Sequence, residues 1–315
     1  MSESPMQIRQ KLQERANVLG FVAFGAAPAE ALDEEARRLR EWLSLDYQGS
    51  MGWMQRNFNR RVDPGEVVPG AKSVIMLGYN YFTGRAPQDD SKAKISNYAW
   101  GDDYHDVITP KIRELEAFLH KLIDRKVASR SYVDTGPIME KAWAARAGIG
   151  WMGKHTNLIS REYGSWMFLG AIIADVELEY DSPIPDYCGS CTRCIEACPT
   201  DAITEPYVLD ARKCLSYLTI EYREDSLPDR EADRMHGWIY GCDICQEVCP
   251  WNIKFEHPTD DPHFLPREEN VGRDLSDWME LSVEEYRERF RKSPVKRAKY
   301  DGLMRNIKTA LENSG

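Results

Sequence analysis

Cys188-Gly-Ser-Cys191-Thr-Arg-Cys194-Ile-Glu-Ala-Cys198-Pro199 is the stretch on which the reading of this chain turns. Its spacing, C-x2-C-x2-C-x3-C-P, is that of bacterial ferredoxins, in which three thiolates hold one [4Fe–4S] cube and the fourth reaches to a second. A broken copy follows as Cys242-x2-Cys245-x3-Cys249-Pro250, with Cys214 available for its missing first position. All eight cysteines of the chain are then used. The expected partition is Cys188, Cys191, Cys194 and Cys249 on one cluster, and Cys198, Cys214, Cys242 and Cys245 on the other. Structural zinc is the rival, since paired C-x2-C also binds zinc, but zinc sites seldom step three cysteines by two and end twice in Cys-Pro. Disulfides do not suit a chain that reads as staying in a reducing compartment.

Composition sets the frame around this motif. A length of 315 residues suggests two domains with an appendage. At 42% hydrophobic and 29% charged, the chain has ample material for a core. A net charge of −10 argues against a generally nucleic-acid-coated surface, so any RNA contact must be a local basic patch. No apolar run approaches the roughly 18 residues of a membrane span. Arg15, the run from Ala16 to Ala27 and the Ala27-Pro28-Ala29 triplet loosely imitate a signal peptide, but Glu14 and Asn17 are wrong for one. Arg37-Arg38 and Arg60-Arg61 lie too deep for a twin-arginine signal. A cytoplasmic location is expected.

Upstream of the cysteines, residues 1–180 alternate helical and strand patterns. Helices are predicted over Met6–Leu19, Glu30–Ser44 and Asp106–Ile123, the last with Ile108, Ile112, Leu115, Leu119 and Leu122 on one stripe. Strands are predicted at Phe21–Phe24 and Val74–Tyr81, ending at Tyr132–Val133, and over Ser165–Val176 as a central strand. Pro137 suits the first turn of a helix that closes at Gly148. The fold class is α+β, a mixed α/β domain, followed by a ferredoxin-like two-cluster domain over residues 181–254. The proline-rich Asp181–Asp186 reads as a linker, and residues 255–315 as a C-terminal extension with a basic tail.

Several stretches outside the cysteines carry chemistry. Gly148-Ile-Gly150-Trp-Met-Gly153 matches G-x-G-x-x-G, but it follows a helix rather than a strand, and Trp151 and Met152 fill the turn. Its glycines are better read as a tight turn aiming Lys154, His155 and Asn157 into a cleft. Tyr98-Ala-Trp100-Gly-Asp102-Asp103-Tyr104-His105 supplies a helix cap through Asp102 or Asp103, and its aromatics also suit a stacking wall. Asp134 sits at a strand-end turn, where it either caps the next helix or, desolvated beside a large cofactor, donates a proton near neutral pH, with Lys141 opposing. From Arg287 to Lys308, nine Lys/Arg face two acids, Glu288 and Asp301. A solvated helix face and a phosphate dock explain that tail equally well.

Taken together, the two cysteine runs, Cys214-Leu-Ser216, Trp100-Gly-Asp-Asp-Tyr104-His105, Val133-Asp134-Thr-Gly136 and Ala147-Gly-Ile-Gly-Trp-Met-Gly-Lys154 resemble the epoxyqueuosine reductase family, from about residue 5 to about residue 310. The resemblance implies a cobalamin-dependent iron–sulfur oxidoreductase that removes the epoxide oxygen of epoxyqueuosine in tRNA to complete queuosine. It implies corrin contacts at Arg61, Ser96, Asp134, Leu158, Leu169, Ser216, Arg223 and Asp243, with Asp134 as the catalytic acid. Tyr104, His105 and Tyr222 fall on the substrate side, and Tyr98, Trp100 and Tyr104 are candidates to stack on the target base. The partners implied are the tRNA anticodon stem-loop and a low-potential electron donor, with no membrane and a monomeric chain. Asp261-Pro-His263-Phe-Leu-Pro266 fails the D-x-H-x-x-G pattern of a histidine ligand to cobalt, in keeping with a family that leaves cobalt without one. Many members continue into a helical-repeat domain, and this chain reads as a short form. The rivals are a cobalamin–iron–sulfur reductive dehalogenase and a pure electron-transfer module.

Overall fold

In the computed structural model, which describes residues 3–314, β1 (Ala23–Pro28), β2 (Ser73–Asn80), β3 (Ser129–Tyr132) and β4 (Met167–Ala174) form one sheet. Its order is β1-β2-β4-β3, with every neighbouring pair antiparallel. β2 and β4 lie inside the sheet, which is why both are near-continuous apolar runs. Side chains alternate between faces along a strand, and both faces are covered. Ile75, Leu77 and Tyr79, with Phe168 and Ile172, pack under α1 (Pro5–Val18) and the Ile108–Leu119 stripe of α3 (Tyr104–Leu122). Val74 and Met76, with Ala171 and Ile173, pack under α2 (Asp33–Ser44) and α4 (Glu140–Arg146). An all-antiparallel sheet with helices on both faces is the α+β class.

Helix starts follow local chemistry. Ser4 and Gln7 close a capping box on α1, and Asp103 caps α3 by accepting from the His105 amide. Asp102 instead ties down a distant segment, accepting from Arg267 and pairing with His263. Among the boundaries that move, two have a local cause. The first strand starts at Ala23, since Gly20 (φ +92°) still belongs to the turn after α1. α4 starts at Glu140 rather than Pro137, because Met139 (φ −103°, ψ 76°) still lies outside helical geometry.

The remainder is not organised as linker and appendage. Asp181 is pinned to the sheet, its carboxylate accepting from the Ala26 amide and from Arg9. Residues beyond 255 share a core with earlier segments: Trp278, Phe290 and Leu303 pack with Ile95, Leu218 and Ile239. Asn306 of α5 (Lys299–Glu312) is fully buried and donates to the carbonyls of Thr219 and Ile239. The apolar positions of the tail need a partner, and the segment around Cys214–Tyr240 provides it.

Candidate active site

A cavity of about 500 Å³ opens between the sheet domain and the cysteine segments. Cys198, Cys214, Cys242 and Cys245 line it, and none of Cys188, Cys191, Cys194 or Cys249 does. Tyr81, Met167, Phe168 and Leu169 from the ends of β2 and β4 give it an apolar wall. Tyr98, Tyr104, Asp134, Glu140, Lys141 and His155 line it as well, as do the polar residues Ser96, Ser216 and Asp243.

All eight cysteines are free. Burial, then the neighbouring Cys249 and Cys188, pushes the Cys194 thiol up to about 11. Burial likewise raises Cys242, with Cys245 and Cys214 adding to it, and Cys214, with Cys198 adding to it. Such crowded thiols ionise only with a cation to neutralise them, which iron provides. Two donors already point at sulfur: the Trp151 indole N–H to Cys188 Sγ (3.5 Å) and the Ala202 amide to Cys198 Sγ (3.2 Å).

On the rim, the Tyr104 hydroxyl donates to Asp134 Oδ2 at 2.6 Å. Burial and then the Asp134 charge raise the Tyr104 phenol, so it stays protonated and remains the donor. Its ring is clamped between Phe168 (4.4 Å between centroids, 13° between planes) and His105 (4.1 Å, 29°). His105 Nδ1 lies 2.7 Å from Asp103 Oδ1 and Nε2 lies 4.0 Å from Asp134 Oδ2. Burial works against a charged His105, but the Asp103 contact outweighs it and the pKa is raised. Asp134 is not the desolvated group expected, since its side chain is 67% exposed at the cavity mouth.

Deeper in, Glu140 is pushed up to about 7 by burial and by Asp134. His155 is lowered to about 4 by burial and by Lys141. Its Nδ1 accepts from the Asn157 amide, which leaves the proton on Nε2. Lys141 donates to Asn157 Oδ1 (2.7 Å) and the Thr156 carbonyl (3.1 Å); burial lowers its pKa, against the pull of Asp134. Asp243 is pushed up to about 7 by burial, although Ser96 Oγ and the Asn97 amide (2.6 Å) both donate to it.

The other residues singled out in the sequence divide. Leu158 faces a small adjoining cavity with Leu169. Arg61 is buried, with its Nε unpartnered, and feels both Glu140 and Asp134. Arg223 lies outside the lining and donates to the Arg297 and Ala298 carbonyls. Tyr222 lies beneath the Arg305 guanidinium, also outside the lining. Trp100 is no stacking wall: it is buried, and its indole N–H donates to the Ile95 carbonyl. Lys154 does not enter the cleft but braces the cysteine loop at the Gly189 (2.6 Å) and Cys191 (3.0 Å) carbonyls. The neighbouring glycines are there for packing. A Cβ on Gly150 would sit 2.2 Å from the Ile159 carbonyl oxygen, and Gly148 has φ +70°. Sequence reading misses Glu140; its signal is an acid at the first position of a helix whose other residues are apolar or basic.

Eight free thiols in two ferredoxin-type runs, four of them lining a cavity with a carboxylate at its mouth, define an iron–sulfur oxidoreductase. The double-cluster 4Fe-4S binding domain model matches residues 187–252, and the epoxyqueuosine reductase QueG model matches residues 61–135. An epoxyqueuosine reductase of Synechocystis sp. is 47% identical over 291 residues, covering 91% of this chain and 100% of its own. A solved epoxyqueuosine reductase with an epoxyqueuosine-modified tRNA-Tyr stem loop superposes with a TM-score of 0.90 at 33% identity, covering 99% of this chain and 82% of that one. The Bacillus subtilis enzyme, solved with "the Asp134 catalytic loop swung out of the active site", gives 0.89 at 32%, with the same coverage. The chain belongs to the epoxyqueuosine reductase family. Among the described residues, no helix is long and apolar enough to cross a membrane.

Proposed function

We propose that this protein reduces epoxyqueuosine in a tRNA anticodon stem-loop to queuosine, with cobalamin in the cavity and electrons delivered through two [4Fe–4S] clusters. The single observation carrying this is that one cavity is lined both by Cys198, Cys214, Cys242 and Cys245, the thiols assigned to the second cluster, and by Asp134, held by Tyr104. The residues fit a corrin: an apolar wall for the ring, polar Ser96, Ser216 and Asp243 for its amide fringe, and buried unpartnered atoms at Glu140 Oε1 and His155 Nε2. When bound, cobalamin supplies a redox-active cobalt to the epoxide. The overall change takes two electrons and two protons: the carbon–oxygen bonds break, a carbon–carbon double bond forms, and water leaves.

The chain's own part is proton supply and positioning. Asp134 protonates the departing oxygen, which is otherwise a poor leaving group. Tyr104 fixes one carboxylate oxygen, leaving the other for the proton. His105 Nε2 lies 4.0 Å from the oxygen that Tyr104 holds, so a rotation of the carboxylate would let protonated His105 recharge Asp134. Tyr98 and Tyr104 offer ring faces to an unstacked base. The tail lies close by: the Asp103 amide donates to the Lys292 carbonyl (2.7 Å), and Arg297 feels Asp134. Within it, Arg297 pairs with Glu221 and Arg305 donates to backbone carbonyls, so these two are structural. Lys292, Lys296 and Lys299 are exposed and suit RNA phosphates. The location implied is the cytoplasm, where tRNA is modified.

The test is anaerobic reconstitution with iron, sulfide and cobalamin, reduction with dithionite, and mass analysis of nucleosides from an epoxyqueuosine stem-loop. Loss of one oxygen is expected, and its absence with both cofactors bound refutes the reading. Changing Lys292, Lys296 and Lys299 to alanine should flatten the salt dependence of stem-loop binding by roughly 0.7 log–log units for each phosphate no longer engaged.

A further inference from the structure

The cavity touches only the second set of thiols, which leaves the first set, away from the substrate, to take up electrons. Over that first set lies an unusual face. Trp151 packs on Cys249 and donates to Cys188 Sγ, and it meets Tyr187 (5.2 Å between centroids) and Trp251 (4.8 Å) edge-on. Phe255 stacks on Trp251 (5.5 Å, 15°). Tyr187 is 37% exposed and Ile253, on the same short helix as Trp251, is 51% exposed. Cations frame the aromatics: Arg161 lies over Tyr187 (4.8 Å) and Lys254 over Phe255 (4.9 Å). Arg193, between Cys191 and Cys194, is exposed as well. These three make no ion pair among the described residues, whereas the nearby acids Asp186 and Glu196 are engaged by the Tyr207 and Thr192 hydroxyls.

We propose that this face docks a small acidic protein carrying single electrons at low potential. The inference rests on the function proposed for the cavity and on its partition of the thiols between two clusters. A chain of net charge −10 repels an acidic partner over most of its surface, so cations beside exposed aromatics make this face, away from the basic tail at the cavity mouth, a favourable landing place. Each docking transfers one electron: the carrier is oxidised by one and the oxidised first cluster reduced by one. Two such events, with two protons, account for one epoxide and one water. The tail that suits RNA lies instead at the cavity mouth, so donor and substrate bind at once.

The experiment is stopped-flow reduction of the reconstituted protein by reduced flavodoxin, followed by cluster bleaching, in wild type, Arg161→Glu/Lys254→Glu and Ile253→Asp. The charge variant should be reduced about tenfold more slowly at low salt, with the gap closing as salt rises. Ile253→Asp should be slowed at all salt concentrations. Iron content, dithionite reduction and dithionite-driven turnover should match wild type, and saturating stem-loop should not compete. Variants reduced by flavodoxin at the wild-type rate, a wild type that flavodoxin cannot reduce, or blockage by the stem-loop would each overturn the proposal. Failure of dithionite-driven epoxide reduction in the wild type would instead count against the function itself.

Discussion

The substitution Asp134→Asn separates proton donation from everything else this residue does. The side chain is 67% exposed, and exposed substitutions usually shift stability by no more than about 0.5 kcal/mol. Its backbone sits at φ +55°, a left-handed conformation that asparagine tolerates as well as aspartate. The amide oxygen still accepts from Tyr104, so the rim keeps its shape. What disappears is a transferable proton. Loss of a general acid costs about 10²- to 10⁴-fold in rate, or about 2.7–5.4 kcal/mol of barrier. The assay is single-turnover conversion of an epoxyqueuosine stem-loop in anaerobic, fully loaded protein, with corrinoid and cluster absorbance checked first. Both cofactors should be retained while conversion collapses. Turnover within a factor of about three of wild type would be far below the effect of a lost general acid and would refute its acid role.

Other expectations follow from the same geometry. Cys249 lies in the second cysteine run yet is assigned to the first cluster, so Cys188→Ala/Cys249→Ala should lose roughly half the iron, no more than either single variant. Cys242→Ala/Cys249→Ala should lose nearly all of it, and the opposite pattern in the two pairs would reverse the partition. For Glu140, the folded pKa of about 7 stands above the ordinary 4.5. A raised carboxyl contributes stability below the unfolded value, and that contribution is lost as pH climbs from about 4.5 through about 7. Corrinoid-free Glu140→Gln should therefore melt a few degrees above wild type at pH 8, with the gap closing at pH 5. His105 has its pKa raised by Asp103, so wild-type activity should fall as pH rises through that raised value. In His105→Asn this alkaline limb should disappear from the pH–rate profile.

Much of the site is legible without the fold because it depends on near neighbours. The two-residue steps among Cys188, Cys191 and Cys194, the Asp103 cap and the Ile108–Leu119 stripe are all set within a few residues. Trp100, Lys154 and Arg223 cannot be placed that way. Trp100 and Tyr104 stand four residues apart, yet one is buried on the Ile95 carbonyl and the other lines the cavity. Lys154 reads as following His155 into the cleft, but the extended backbone at Trp151–Met152 sends it toward the cysteine loop. Arg223 falls among the implied corrin contacts, but the Arg297 and Ala298 carbonyls, some 75 residues on, take its guanidinium.

Cluster chemistry, the α+β class and the candidate acid are all written in short segments, because ligand spacing, side-chain periodicity and a turn residue have fixed covalent reach. Three facts needed the folded chain: which thiols face the cavity, that Asp134 stands exposed in the grip of Tyr104, and that the basic tail shares a core with Cys214–Tyr240. Each depends on burial and on contacts between distant segments, which local spacing does not encode.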